Sequence, residues 1–179
     1  KNEKGEYINH ALAPEVIDEL HNPMDLPQKG TRELTAEDFV YSIKRMANPR
    51  IIAPVYGTMV NYLPGLKDFA VQVRAEDKRL RADLKPSDRD LPFLDLRKFE
   101  LKGVSAPDKY TLRLEVKGKY PQFPNWLAMT FFAPVPWEAE AFYAQKGMAK
   151  NNLSLNYWPV GTGPYMLVES IENRKHVME

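Results

Sequence analysis

Apolar residues fall at helical spacing most clearly over residues 36–47. Ala36, Phe39, Val40, Ile43 and Ala47 recur at i, i+3, i+4, i+7 and i+11, one apolar stripe on an otherwise polar segment. Thr35 stands where an N-cap belongs, and Asp38 occupies the carboxylate position of a capping box. Glu37 and Asp38 suit the positive helix end, and Asn48-Pro49 stops the pattern. A short helix is predicted within Pro54–Leu63, where Tyr56, Met59 and Tyr62 are three apart; core packing is the simpler reading of that stripe over a ligand-facing role. Leu66, Phe69, Ala70 and Val73 predict another helix, running on through AEDKRLRADL. Alternation of period two appears in Tyr110, Leu112, Leu114 and Val116 against Thr111, Arg113 and Glu115. This is a half-buried strand, paired in a hairpin with a segment holding Leu101 and Val104 across a turn at Ala106-Pro107-Asp108-Lys109. Two strands alone are marginal, so the hairpin must join a larger sheet or pack on helices.

The stretch Lys119–Glu138, KYPQFPNWLAMTFFAPVPWE, interleaves aromatic residues with Pro. Pro fixes φ and lacks a backbone donor, so one long helix is excluded. The pattern predicts a short helix over Pro121–Met129, with Phe123, Trp126 and Leu127 on one face, then an extended segment Thr130–Pro136. Adjacent extended positions face opposite ways, so Phe131 and Phe132 divide between a core and a cleft or solvent. Trp137–Gln145 is predicted helical, using Ala141 and Phe142, with Gly147 as its C′ residue. Lys85–Leu94 and Asn151–Pro159 read as loops, and Tyr165, Leu167 and Val168 begin a final strand. Residues 1–34 look weakly structured, apart from a two-turn helix with Pro14 at its first position. The elements together predict an α+β fold: a short, mostly antiparallel sheet with packed helices.

Composition narrows the function. A net charge of +1 gives no long-range field to favour nucleic acid or an anionic membrane, and Glu76, Asp77 and Asp83 interrupt the basic residues of the charged helix. No apolar run approaches the length of a transmembrane helix, and the first ten residues, KNEKGEYINH, are too polar for a signal peptide. The absence of Cys removes disulfides and thiolate metal sites. Pro, at 15 of 179 residues, exceeds the usual share of about 5% and points to many short elements with fixed connections. Gly161-Thr162-Gly163 lacks the third Gly of a dinucleotide fingerprint and precedes Pro164, so a tight bend is the simpler reading. His10, His21 and His176 have no partners at metal-ligand spacing and read as solvated surface residues. No metal site or cofactor is expected. No Gly-x-Ser-x-Gly elbow is present, and a peptide hydrolase finds no titratable constellation to support it.

Three segments carry a resemblance: GTRELTAEDFVYSIKRMANP (30–49), GVSAPDKYTLRLEVKGKYPQFPNWLAMTFFAPVPWEAE (103–140) and PVGTGPYMLVES (159–170). In this order and spacing the chain resembles the family 5 extracellular solute-binding proteins of ABC importers, the oligopeptide- and dipeptide-binding class. The resemblance implies a type II-like, two-lobed binding protein with an extra domain, of which this chain matches an interior part of the first lobe. It implies that 30–158 form an α+β subdomain, that 159–179 are a strand returning to the main sheet of the lobe, and that 1–29 are an insertion or extended segment. It further implies capture of oligopeptides outside the cytoplasmic membrane, in the periplasm or at the cell surface, and delivery to ABC permease subunits, with no catalysis. Oligosaccharides, opines and metal chelates are the alternative solutes of that architecture. By the same resemblance, Val55, Tyr56, Met129, Thr130 and Phe131 approach the ligand.

Overall fold

The computed structural model describes residues 8–28, 30–85, 87–171 and 173–179. Its helices are α1 (Pro14–Glu19), α2 (Ala36–Arg45), α3 (Tyr56–Tyr62), α4 (Leu66–Leu80), α5 (Phe123–Leu127) and α6 (Trp137–Tyr143). Its strands are β1 (Val104–Asp108), β2 (Thr111–Leu114), β3 (Leu167–Ile171) and β4 (Lys175–Met178), forming two antiparallel two-stranded sheets, β1–β2 and β3–β4. The α+β reading holds. None of the described helices is long and apolar enough to cross a membrane. The chain divides into two compact units: Lys1–Leu34, Asp83–Phe93 and Trp137–Glu179 form one, Thr35–Ala82 and Leu94–Pro136 the other. Segment 1–7, with most of the signal-peptide question, lies outside the described residues, as does Pro86 of the predicted 85–94 loop.

In the second unit, α2 starts as its sequence predicts. The Asp38 carboxylate accepts the Thr35 backbone N–H at 2.9 Å, the carboxylate arm of a capping box. Its buried face is wider than the predicted stripe, for Tyr41 and Ser42 join Val40 and Ile43 in the core while Phe39 is half-buried. The reason is that α2 is covered by both strands of the β1–β2 hairpin and by the turns at Leu96–Lys98 and Thr130–Phe132. The Ala36 amide also donates to Lys109 O of the hairpin turn at 2.9 Å. The hairpin therefore obtains its cover from a helix rather than from more strands. Leu112, Leu114 and Val116 are half-buried and alternate with exposed Thr111, Arg113 and Glu115, but Tyr110 is exposed. Tyr110 drops out because the turn sits two residues later than predicted: Val104 pairs with Leu114 and Asp108 with Thr111, which leaves Ala106 and Pro107 in β1. The Asp108 carboxylate closes that turn by accepting the Tyr110 and Thr111 amides at 2.9 and 3.0 Å.

Helix α4 buries the predicted stripe Leu66, Phe69, Ala70 and Val73 almost completely, but stops at Leu80 rather than running to Leu84. Its last buried polar side chain, Asp77, accepts from Arg50 Nε at 2.6 Å and Arg81 Nε at 3.0 Å, tying the loop after α2 to the end of α4. At Gly103 a Cβ would stand 2.7 Å from Pro64 Cδ, so the entry to β1 crosses the α3–α4 corner where no larger residue fits.

The first unit is held by polar clamps around a small core. Ile17, Leu20, Leu26, Met148, Leu153 and Trp158 are buried together. Segment 151–159 thus has the loop backbone its sequence predicts, yet supplies Leu153 and Trp158 to the core. Asn151 Nδ2 donates to the carbonyls of Ile17 and Leu20, and the Gln145 amide bonds Leu12 N and Asn9 O. Helix α6 ends at Tyr143, before the predicted Gln145, and its buried residue is Ala139 rather than Ala141 or Phe142. Gly147 is accordingly not a C′ residue. Its φ of +102° turns the chain against α1, where a Cβ would stand 2.9 Å from Ile17 Cγ2. The final strand begins at Leu167, with Tyr165 exposed, and β4 returns beside it, an element the sequence pattern did not reveal.

Two predictions follow from these contacts. Asn151→Ala takes the side-chain donor from Leu20 O and one of two donors from Ile17 O, and should lower unfolding free energy by about 1–3 kcal/mol. Lys150→Ala, which breaks only the exposed pair with Asp18, should cost under about 1 kcal/mol; urea unfolding distinguishes them. The Asp108 carboxyl is held below its ordinary 3.8, first by the Tyr110 amide bond and next by Thr111. Because its folded pKa is depressed, its contribution is present above the unfolded value and is lost as pH falls through the folded one. An NMR titration of the Asp108 carboxyl should therefore have a midpoint under 3.8.

Candidate ligand-binding site

The nominated residues lie on two segments of the second unit, and local backbone chemistry decides which of them face outward. After α5 the chain does not run extended as predicted. Met129 is extended, then Thr130–Phe132 form a 3-10 turn, with Phe132 N–H donating to Met129 O at 3.0 Å and Ala133 N–H to Thr130 O at 3.1 Å. The turn forms because the chain must bring Ala133 to α2, where buried Ser42 Oγ donates to Ala133 O at 2.6 Å. The division between the phenylalanines survives this change: Phe132 is 4% exposed and Phe131 44%. Met129 is 48% exposed and Thr130 is also exposed, so all three nominated residues of this segment lie at the surface. Leu127, predicted on the packed face with Phe123 and Trp126, is exposed instead. Helix α5 has only five residues, too few to bury more than Phe123 fully.

Rings fix the start of this stretch. Tyr120 stacks on Tyr62 with centroids 4.5 Å apart and meets Phe123 edge-on at 6.3 Å. Trp126 Nε1–H donates to Tyr120 Oη at 2.8 Å, so the half-buried indole keeps its polar atom satisfied. The Lys117 amide adds a 2.8 Å bond to Tyr62 O. These contacts dock the aromatic stretch on the C-terminal end of α3.

Val55 and Tyr56 lie at the other end of α3. Val55 is 6% exposed, and its carbonyl accepts the Thr58 and Met59 amides that begin the helix. Its side chain is a packing residue, while Tyr56 is half-buried. Ile52, three residues earlier, is 94% exposed. Ile52 and Leu127 are exposed apolar residues of these segments that the sequence reading missed. For Ile52 the available signal was its place just before Ala53-Pro54, where neither helix nor strand can bury it.

The predicted solvated histidines are not uniform. His10 packs edge-on against Trp137 at 5.6 Å, and His176 Nδ1 lies 3.0 Å from Ser170 Oγ across the β3–β4 hairpin. Trp137 also meets Phe93 at 6.3 Å, so this indole is engaged within the first unit. An open hollow of about 780 Å³ is lined by Pro49, Ala75, Asp77, Lys78, Arg79, Arg81 and Ala82. It contains none of the nominated residues, and its side chains serve the end of α4: Asp77 holds Arg50 and Arg81, and Arg79 holds Glu76. Cations suit the negative end of a helix, so this is a capped helix terminus rather than a ligand site.

Comparison with known proteins bears on what such a surface serves. The model of bacterial extracellular solute-binding proteins, family 5 Middle, matches residues 29–179. The chain belongs to this family. It is similar to the periplasmic murein peptide-binding protein MppA of Escherichia coli (strain K12), 27% identical over 145 residues, which cover 81% of this chain and 22% of that protein. The peptide transport periplasmic protein SapA of Haemophilus influenzae is 29% identical over 147 residues, 80% of this chain and 24% of its own length. The periplasmic oligopeptide-binding protein OppA of Escherichia coli (strain K12) is 27% identical over 148 residues, 82% and 22% respectively. The family 5 chain thus spans under a quarter of the length of the curated relatives it matches. No solved structure gives a significant match.

The two phenylalanines give a direct check on the site's geometry. Phe132→Ala empties a buried position and should cost about 3–5 kcal/mol, whereas Phe131→Ala at the surface should cost under about 1 kcal/mol. Thermal unfolding of the two variants reads the difference.

Proposed function

We propose that this family 5 chain is part of a solute-binding component of an ABC importer, which captures oligopeptides outside the cytoplasmic membrane and delivers them to the permease subunits. The observation that carries the reading is the family match over residues 29–179, together with relatives named for peptide binding or peptide transport. The protein binds and does not catalyse. Its place is the periplasm or the cell surface. In this reading residues 30–158 are an α+β subdomain of the first of two lobes, and 159–179 lead back to the main sheet of that lobe. Tyr56, Met129, Thr130 and Phe131 face the ligand, and Val55, the buried member of the set, seats the start of α3.

The physical support is the kind of surface that these positions present. Peptides of varied sequence are held through their backbones and by roomy apolar walls rather than by reactive groups. Met129 and Phe131 offer exposed apolar side chains on a backbone fixed by Ser42 and by the 3-10 turn. Native mass spectrometry of the full-length protein, purified without denaturation, tests the assignment. A ladder of adducts resolving into short peptides is the expected outcome. A single sugar or metal-chelate adduct would move the solute class, and loss of added peptides by cleavage would refute the non-catalytic reading.

A further inference from the structure

Charge is distributed unevenly in this chain. Asp, Glu, Lys and Arg make up 27% of its residues, yet Ile51–Leu66 and Tyr120–Pro136 contain none. These are the two runs that hold the candidate ligand-facing residues. The fold brings them together: Tyr62 of the first stacks on Tyr120 of the second at 4.5 Å, and Lys117 N–H bonds Tyr62 O. The exposed large apolar side chains of the runs are Ile52, Leu127, Met129 and Phe131, and the exposed polar ones, Asn61, Gln122, Asn125 and Thr130, are uncharged. The polar atoms of the ring cluster are already engaged, since Trp126 Nε1–H is given to Tyr120 Oη. Along the chain the charges that border the runs are Arg50, Lys67, Lys119 and Glu138, of which Arg50 is held by Asp77 and Glu138 by Arg32, each at 2.6 Å.

We propose that this surface selects ligands by uncharged, apolar side chains and discriminates against basic ones. The inference rests on the peptide-binding reading above and specifies the class of peptide. A Lys or Arg side chain laid on Met129 and Phe131 loses water, and neither uncharged run supplies it a counter-charge. A Phe or Leu side chain loses only apolar hydration there. Met129 adapts to different apolar shapes, so selection is by polarity rather than by a single side-chain outline.

Isothermal calorimetry on the full-length protein with three tripeptides, Ala-Phe-Ala, Ala-Glu-Ala and Ala-Lys-Ala, tests this. Ala-Phe-Ala should bind most tightly and Ala-Lys-Ala at least about tenfold more weakly, the factor expected for one desolvated, unpaired charge. Met129→Glu, at an exposed position, should keep the wild-type melting temperature while improving Ala-Lys-Ala relative to Ala-Phe-Ala. Equal binding of Ala-Phe-Ala and Ala-Lys-Ala overturns the polarity selection alone and leaves peptide binding intact. An unchanged ratio in a folded Met129→Glu variant likewise removes these residues from the selecting surface. Absence of binding by all three peptides overturns the selection together with the peptide reading itself.

Discussion

A two-stranded hairpin cannot bury enough surface to hold itself together, and that constraint organises the second unit. Strands β1 and β2 persist because α2 covers their apolar face, while the Ala36 amide and Lys109 carbonyl join the helix start to the hairpin turn. Covering the hairpin widens the buried arc of α2 to include Tyr41 and Ser42. Burial of Ser42 then requires a partner for its hydroxyl, which Ala133 O supplies. That one bond sets the end of the Thr130–Phe132 turn, and with it which phenylalanine is inside. The path from hairpin to candidate site is a chain of polar obligations created by apolar burial.

The candidate surface is consequently rigid where it is supported and apolar where it is open. Phe132 and Phe123 go inward, Tyr120 is stacked, and Trp126 is hydrogen-bonded. Met129 and Phe131 are left outside on a backbone with few remaining freedoms. A family built to bind solutes has use for this combination, because fixed backbone geometry reduces the entropy lost when a ligand is ordered. The absence of charge along both runs gives the surface a chemical character that the near-neutral whole chain does not suggest.

The first unit solves a different problem. Its core is small, and irregular segments supply much of it. Side-chain amides substitute for regular backbone pairing: Asn151 holds the end of α1, and Gln145 holds the segment before it. Each amide combines donors and an acceptor at a fixed angle, so one residue can satisfy several backbone groups that no sheet or helix reaches.

The sequence by itself determined the elements whose information is local. Helix α2 with its Thr35–Asp38 start, the stripe of α4, Pro14 at the head of α1, the alternation in β2 and the family all follow from adjacent residues and their spacing. Tertiary structure decided the rest, because the deciding partner lay far along the chain. The β1–β2 turn moved to Asp108–Thr111 through strand register, and Thr130–Phe132 became a 3-10 turn through a bond to Ser42. Leu127 was left outside because a five-residue helix has one buried side, and Val55 went inward with the start of α3. Leu153 and Trp158 entered a core from a stretch with no periodicity at all, since burial needs only proximity to other apolar groups and not a regular backbone.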